Sequence, residues 1–322
     1  MAHNSVSNST VVLPVEYGRE IIRGVVGRSK ALELGRRLPD MRGKTYKLNV
    51  ASHLPVAGWV SQQATPNNSD EPDVKNKPVG YYAFQGVDVV AEEIAVIIPV
   101  SINTLNDVED FGIELMPEIS EQVVGAFQQV IDSTIFFGTN SPWTGNIQYG
   151  LVAGATAAGA TVSWDGNAGL SFYNAINDAM AYVEKSGYVP TAILGGPSLN
   201  SAFRATITNM GVLAGDQGEI GALPRHIDLT GGFSESDAFA IVGDFRYLVY
   251  SFREEMSMRV LYEATLKDPA TGTELYNLAQ QDMIGLRFTM RLGAQLPNPV
   301  NRVNETAARY PFAIITNEKL GS

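Results

Sequence analysis

The chain has 322 residues, of which 45% are hydrophobic, so it is long enough for one large domain or for two to three smaller ones. Its formal net charge of −11 argues against a nucleic-acid-binding role that rests on a basic surface. The absence of cysteine excludes a disulfide framework and a thiolate metal site. No signal-peptide pattern is visible at the start, and apolar runs such as residues 94–100 are far too short to span a bilayer, so we expect no membrane partner.

Charges are unevenly distributed along the chain. No lysine or arginine lies between Lys77 and Lys185, although that stretch contains thirteen acidic residues. Nine basic residues cluster instead between Arg19 and Lys47. Because like charges crowded on one element repel, the opposite charge has to come from a distant part of the chain, from another copy or from bound cations. A solvated acidic face is the simpler alternative.

The first 90 residues predict an arm followed by a long hairpin. Residues 1–13 are small and polar, and residues 16–34 have the spacing of a short amphipathic helix broken near Gly27. Residues 44–50 alternate as a strand, and strand-like residues 57–60 and 80–90 flank a polar segment at 62–78. A lone hairpin is only marginally stable in water, so something else has to hold it.

The longest helical pattern covers residues 105–138. Its apolar residues recur at three- and four-residue spacing, Asn106 or Asp107 is suited to the N-cap, and Gly138 ends the helix. Pro117 predicts a kink or a restart. At 1.5 Å per residue the helix would be about 40 Å long, so it needs support along its length.

The rest of the chain mixes helix-like and strand-like segments. Residues 150–170 are rich in Gly, Ala and Thr and predict a loop or an edge strand. A helix at 170–186 closed by Gly187, a buried strand at 191–194 and a helix capped by Ser198 follow, and then an irregular Gly-rich segment. Strand-like segments lie at 239–242, 247–252, 256–264 and 283–292, with a turn at 268–272. These elements define an α+β fold with interleaved domains.

The sequence contains no recognisable catalytic or cofactor-binding motif. Its histidines, His3, His53 and His226, are far apart and fit surface positions better than a catalytic site. The turn from Gly195 to Ser198 could bind an anion, although a tight strand-to-helix turn is the better interpretation. We therefore expect a protein without enzymatic activity, cofactor or metal.

The order of these elements, and five local motifs, resemble the major capsid protein of tailed bacteriophages, with the Hong Kong 97-type fold. The motifs are Ala57-Gly58-Trp59-Val60, Pro99-Val100-Ser101 through Asn106-Asp107, residues 132–139, Val242-Gly243-Asp244-Phe245, and Leu286-Arg287-Phe288 with Arg291. The family often has an acid after the Trp-Val pair, where this chain has Gln62-Gln63.

The resemblance implies a domain organisation. It implies an N-terminal arm at 1–42, an extended loop or β-hairpin at 43–87, a peripheral domain with a spine helix at 88–150, an axial domain at 151–244, and closing strands at 245–322 that return to the peripheral domain. Met1 leads almost at once into the arm, which leaves no room for a cleaved scaffolding segment, so scaffolding is expected to be a separate protein or absent.

The resemblance also implies function. Copies of the chain would form pentamers and hexamers that close into an icosahedral head shell around packaged double-stranded DNA, without sequence-specific binding. A portal protein and possible scaffolding and decoration proteins would be partners, with assembly in the host bacterial cytoplasm. An encapsulin-like bacterial compartment shell is the close alternative. An enzyme, or a surface-layer protein or adhesin, is disfavoured by the absent motifs and signal peptide.

We expect the contacts between subunits to combine the extended loop with pairs of opposite charge. The loop would lie over a neighbouring subunit, and the basic arm of one copy would face the acidic helix of another. The residues assigned to these contacts are Arg23, Arg36, Arg37, Trp59, Lys75, Lys77, Glu114, Glu118 and Glu121.

Overall fold

The computed structural model describes residues 28–59, 79–110, 115–167, 170–206, 219–220, 223–306 and 308–318. Its helices are α1 (Lys30–Leu34), α2 (Ile102–Asp110), α3 (Leu115–Phe137), α4 (Gly150–Ala157), α5 (Leu170–Lys185) and α6 (Ser198–Ala205). Two 3-10 turns lie at Gly145–Ile147 and Phe245–Tyr247.

The strands are β1 (Arg36–Arg37), β2 (Thr45–His53), β3 (Ala83–Val90), β4 (Glu92–Ser101), β5 (Thr161–Trp164), β6 (Ala192–Gly195), β7 (Glu219–Ile220), β8 (Leu223–Ile227), β9 (Ala240–Gly243), β10 (Val249–Leu261), β11 (Thr265–Lys267), β12 (Glu274–Asn277), β13 (Met283–Gln295) and β14 (Phe312–Asn317). The mixture of helices and sheets confirms the α+β class.

The chain forms two compact units. Of the described residues, Ile97–Glu121 and Val260–Leu286 belong to the smaller unit, and the larger unit contains the rest. In the smaller unit, β11 pairs antiparallel with β12 around the predicted turn, where Gly272 donates its N–H to the Asp268 carbonyl at 2.8 Å.

The larger unit is built around a six-stranded sheet with the order β5-β14-β9-β6-β8-β7. Strands β6, β9 and β14 are apolar and almost entirely buried, because helices cover the sheet. Rings of Trp164, Phe172, Phe203 and Phe239 meet at centroid distances of 4.6–5.7 Å and fill the space between α5, α6 and the sheet.

A four-stranded sheet has the order β1-β10-β13-β4. Its edge strand β1 is parallel to β10, with Arg36 opposite Val249. Further along, Leu38 and Met41 donate their N–H groups to the carbonyls of Tyr250 and Phe252 at 2.7 and 2.8 Å. Residues 36–41 are thus fastened along β10.

Several predicted elements need correction. The helical pattern begins at Ile102 rather than Leu105, so Asn106 and Asp107 lie inside α2 and are not its N-cap. At the first residue of α2, the Ile102 N–H donates a hydrogen bond to the Asp282 carbonyl at 3.0 Å, which is a tertiary contact that the sequence pattern does not show. Residues 111–114 lie outside the described residues. A second helix, α3, begins at Leu115, two residues before Pro117, where a kink or restart was predicted.

The Gly/Ala-rich segment also differs from expectation. It contains helix α4 before the edge strand β5, whereas a loop or strand alone was predicted. Gly154 is required in α4 because a Cβ there would lie 2.2 Å from the Tyr310 hydroxyl. The segment predicted as a strand at 57–60 is not a strand over its described residues 57–59.

Candidate subunit-contact surfaces

The stem of the predicted hairpin is formed by β2 and β3, which pair antiparallel from Thr45 opposite Val90 to His53 opposite Ala83. Its base is anchored in the larger unit by a buried apolar cluster, which we call the stem cluster. The cluster consists of Leu38, Met41, Val89, Ala91 and Val249, with Leu48 packed against it.

Hydrogen bonds from the same chain extend this support along the stem. The Gln295 side chain donates to the Asp88 carbonyl at 3.0 Å, and the Val300 N–H donates to the Ala51 carbonyl at 3.0 Å. The Arg302 guanidinium donates to the Pro55 carbonyl at 3.0 Å. The hairpin stem is therefore held in part by its own subunit, and among the described residues this support reaches Pro55.

The hairpin exposes four large aromatic side chains, one on the paired part of β3 and the others nearer the far end of its described residues. Trp59 is 81% exposed, Tyr81 69%, Tyr82 53% and Phe84 62%; we call these four residues the aromatic row. Phe84 and Val89 are five residues apart on one strand, so Phe84 points to the face opposite the stem cluster. Tyr82 and Phe84 contact each other edge to face at a centroid distance of 4.6 Å.

Several large exposed aromatic side chains on one hairpin are typical of a binding site. Burying one such side chain stabilises a complex by about 1.5–3 kcal/mol. The sequence analysis named Trp59 and missed the three other members of the row. The signal was present in Tyr81, Tyr82 and Phe84, which follow the polar segment and are too bulky and apolar for a solvent-exposed strand.

The charge segregation is partly resolved within the chain. Lys44 pairs with Glu92 at 3.1 Å, and Lys47 lies 3.8 Å from Asp88 across the two strands of the stem. Arg291 pairs with Glu93 at 3.2 Å. A distant part of the same chain thus supplies the opposite charge for these groups, which was one of the three possibilities left open.

The predicted arginines differ in their surroundings. Arg37 donates to Asp40 at 2.9 Å and to Glu255 at 3.1 Å, and these bonds raise the pKa of its guanidinium. Arg37 also lies 5.0 Å from the centre of the Phe252 ring. Arg36 is exposed and has no ion pair among the described residues. It lines a cleft of about 420 Å³ beside the stem, together with Leu48 and Arg246.

The other predicted contact residues are only partly described. Glu118 and Glu121 lie on α3 and are half-buried. Arg23, Lys75, Lys77 and Glu114 lie outside the described residues. The pairing of the predicted basic and acidic groups between copies stays a prediction.

Within the described ranges, no group of three or more His, Asp or Glu side chains is placed so that it could hold a metal ion. The start of α6 is occupied by the protein's own carboxylate, since the Ser198 N–H donates to Glu235 Oε1 at 2.9 Å. This supports the turn interpretation of residues 195–198, although Pro197 and not Ser198 is the N-cap. No helix in the described part of the chain is long and apolar enough to cross a membrane.

Comparisons with known proteins agree with this geometry. The family model described as the phage capsid family matches residues 9–301. A solved structure from Microbacterium phage Oxtober96 is 28% identical, with a TM-score of 0.79, and the match covers 98% of this chain and 100% of that chain. One from Mycobacterium phage Adephagia is 25% identical, with a TM-score of 0.79 and 98% of each chain covered. No curated protein matches the sequence.

A more distant likeness concerns the fold alone. The capsid of an empty GTA particle is 14% identical, with a TM-score of 0.58, and the match covers 94% of each chain. The fold is that of a capsid subunit of the Hong Kong 97 type.

The chain belongs to the phage capsid family. The resemblance to the major capsid proteins of tailed phages is confirmed: copies of the chain assemble into the head shell, and the protein is a component of the virion.

Proposed function

We propose that the hairpin of β2 and β3, with residues 54–59 and 79–82 beyond its stem, lies against a neighbouring copy in the shell and buries the aromatic row there. The observation that carries this proposal is the exposure of four large aromatic side chains on a hairpin whose described hydrogen bonds to the rest of its own chain reach Pro55. In a free subunit this surface would remain in water at considerable cost.

The magnitudes favour the aromatic row as the main source of contact energy. Each buried aromatic side chain contributes about 1.5–3 kcal/mol, whereas an exposed ion pair contributes about 0.2–1 kcal/mol. Arg36 and the acidic residues of α3 would then adjust the orientation of neighbours more than their affinity.

Trp59 offers a direct test, because the other two tryptophans, Trp143 and Trp164, are each only 5% exposed. We expect a red-shifted emission component, quenched by acrylamide, in dissociated subunits and its loss on assembly. The variant Trp59→Phe is the control, since it should lack that component in both states. A Trp59 signal that stays equally accessible in closed shells would contradict the proposal.

Shell formation by paired variants provides the second test. Phe84→Ser removes a member of the aromatic row, whereas Gln85→Ser changes the next residue, which is exposed on the opposite face of the same strand. Electron microscopy should show a marked loss of closed shells for Phe84→Ser and normal particles for Gln85→Ser. Equal assembly of both variants would contradict the proposal that the aromatic row is buried in the contact between copies.

The remaining features follow from the role as a head shell subunit. We propose that assembly takes place in the host cytoplasm with a portal protein, that any scaffolding or decoration proteins are separate chains, and that the protein has no enzymatic activity. The net charge of −11 suits a container for DNA, because a strongly basic inner wall would bind the DNA backbone and oppose packing. Mass spectrometry of purified particles and of their precursors would identify these partners.

A further inference from the structure

The connection between β13 and β14 runs past the stem of the hairpin. It covers residues 296–311 and contains no helix or strand over its described part, 296–306 and 308–311. Loops of this length without secondary structure are uncommon in a compact unit, and they are usually functional, disordered or linkers. This one is held by many hydrogen bonds, which favours a function.

Arg309 fixes the shape of this loop from inside. It is only 8% exposed, and its guanidinium donates hydrogen bonds to three backbone carbonyls. Nε donates to Pro299 at 2.8 Å, Nη1 to Thr306 at 2.6 Å and Nη2 to Asn298 at 2.7 Å. Because the donor is charged, these bonds are stronger than those between neutral groups. Both ends of residues 298–306 are thus tied to one side chain, and we call residues 298–306 with Arg309 the brace loop.

The brace loop is attached on one side to the end of α5. The Asn301 Nδ2 donates to the Ser186 carbonyl at 2.8 Å, and the Tyr188 hydroxyl donates to Asn298 Oδ1 at 2.5 Å. Gly187, which lies between these two positions, has a φ of +79°, and a Cβ there would collide with the Asn301 side chain. The loop therefore sits directly on the backbone that follows α5.

On its other side the brace loop is attached to the hairpin. The Val300 N–H donates to the Ala51 carbonyl at 3.0 Å. The Arg302 Nη2 donates to the Pro55 carbonyl, also at 3.0 Å. Every group involved lies in the larger unit. The brace loop therefore links the hairpin to the end of α5.

The hairpin is thus attached at two separate points. The stem cluster holds its base at Val89, which is opposite Tyr46, and Ala51 lies five residues further along β2. At about 3.4 Å per residue the two attachments are about 17 Å apart. A single attachment would leave the hairpin free to turn about its base, and a turn of about 10° moves a point at that distance by about 3 Å. The second attachment removes this freedom.

We propose that the brace loop sets the direction in which the hairpin leaves its subunit, with Asn301 and Arg302 as positioning residues, and thereby sets the angle between neighbouring copies in the shell. The inference rests on the proposed function, because it requires the hairpin to lie against a neighbouring copy. An assembly closes only if the rotation between copies is the right one, so a hairpin of variable direction would give shells of variable curvature.

The direction of the hairpin can be measured in dissociated subunits. The chain has no cysteine, so Gln85→Cys on the hairpin and Asn177→Cys on α5, both at exposed positions, can carry a specific pair of spin labels. Pulsed electron paramagnetic resonance then gives the distribution of distances between the labels. Arg302→Ala should broaden this distribution by about 2–3 Å, because the outer attachment is lost. Arg302→Lys keeps a donor for the Pro55 carbonyl and should keep the distribution narrow.

Two further variants complete the measurement. Asn301→Ala detaches the brace loop from Ser186 and should also broaden the distribution. Arg204→Ala removes the same charge as Arg302→Ala from an exposed position on α6, outside the brace loop, and should leave the distribution unchanged. Arg302 is itself exposed, so its variants should fold. Identical distributions for Arg302→Ala and the unmodified residue would overturn the proposal.

The shell provides a second readout. In electron micrographs Arg302→Ala should give a wider spread of shell diameters at an unchanged yield of assembled protein, whereas Phe84→Ser should lower the yield itself. Broadened distances together with unchanged shell diameters would overturn the effect on the shell. A failure of the proposed function can be told apart, because it would appear as equal assembly of Phe84→Ser and Gln85→Ser. The distances in dissociated subunits involve one copy only and would not change with it.

Discussion

The six-stranded sheet and the β2–β3 hairpin handle apolar side chains in opposite ways. Strands β6, β9 and β14 bury nearly all of theirs under helices of the same subunit. The hairpin buries only its base, through the stem cluster, and exposes the aromatic row. The first region buries its apolar side chains within one chain, whereas the second has apolar surface that the described residues leave exposed.

This difference separates two kinds of stability. Substitutions in the sheet should lower the stability of the subunit. They should affect the shell only because fewer subunits are folded. Substitutions in the aromatic row should act on the shell and leave the subunit almost unchanged, because they remove contacts that the free chain does not make.

The largest effect should come from matched phenylalanines in the two regions. Phe312→Ala, in the fully buried β14, should lower the free energy of unfolding by about 3–5 kcal/mol. Phe84→Ala, in the aromatic row, should change it by less than about 0.5 kcal/mol. Denaturant unfolding of dissociated subunits measures both values. Equal destabilisation would mean that the hairpin also folds onto its own subunit.

The stem cluster should give an intermediate effect. Val89→Ala removes two buried methyl groups at the base of the hairpin and should cost about 2 kcal/mol in subunit stability. Val87→Ala, which is half-buried on the same face, is the control and should cost less. Unfolding of dissociated subunits is again the measurement, and a neutral Val89→Ala would show that the hairpin base contributes little to the fold.

Charge reversal should affect the shell less than loss of the aromatic row. Changing Arg23, Arg36 and Arg37 to Glu should reduce the yield of closed shells. Adding changes to Lys at Glu114, Glu118 and Glu121 in the same chain should restore part of that yield. High salt should also weaken native shells, because the Debye length falls to about 3 Å at 1 M.

Because Arg37 already has partners in its own chain, Arg36→Glu alone should account for more of the loss than Arg37→Gln. Normal assembly of the triple variant would end the pairing hypothesis.

The smallest effect should come from the ion pairs along the stem. The pair of Lys44 and Glu92 is largely exposed, so a double-mutant cycle with Lys44→Met and Glu92→Gln should give a coupling of about 0.2–1 kcal/mol. The more widely spaced pair of Lys47 and Asp88 should give less. A coupling well above 1 kcal/mol would show that these charges, and not the stem cluster, hold the hairpin.

The sequence by itself determined the elements whose pattern is local. Apolar spacing gave the long helical region and α5, and alternation gave β2, because periodicity reports which face of an element is buried. The turn at 268–272 followed from residues that favour it. The order of these elements was enough to establish the family, since each motif is weak alone but their sequence along the chain is specific.

Only the tertiary structure decided features that depend on distant residues. Helix α4 was missed because its two glycines have low helix preference, and a glycine is needed at position 154 because Tyr310 packs against it. The ion pair of Lys44 with Glu92 joins residues that are 48 positions apart. The hydrogen bond from the Ser29 hydroxyl to Asp132 joins residues that are 103 positions apart. A sequence pattern carries no information on such contacts, because they arise from the path of the folded chain and not from the period of any one element.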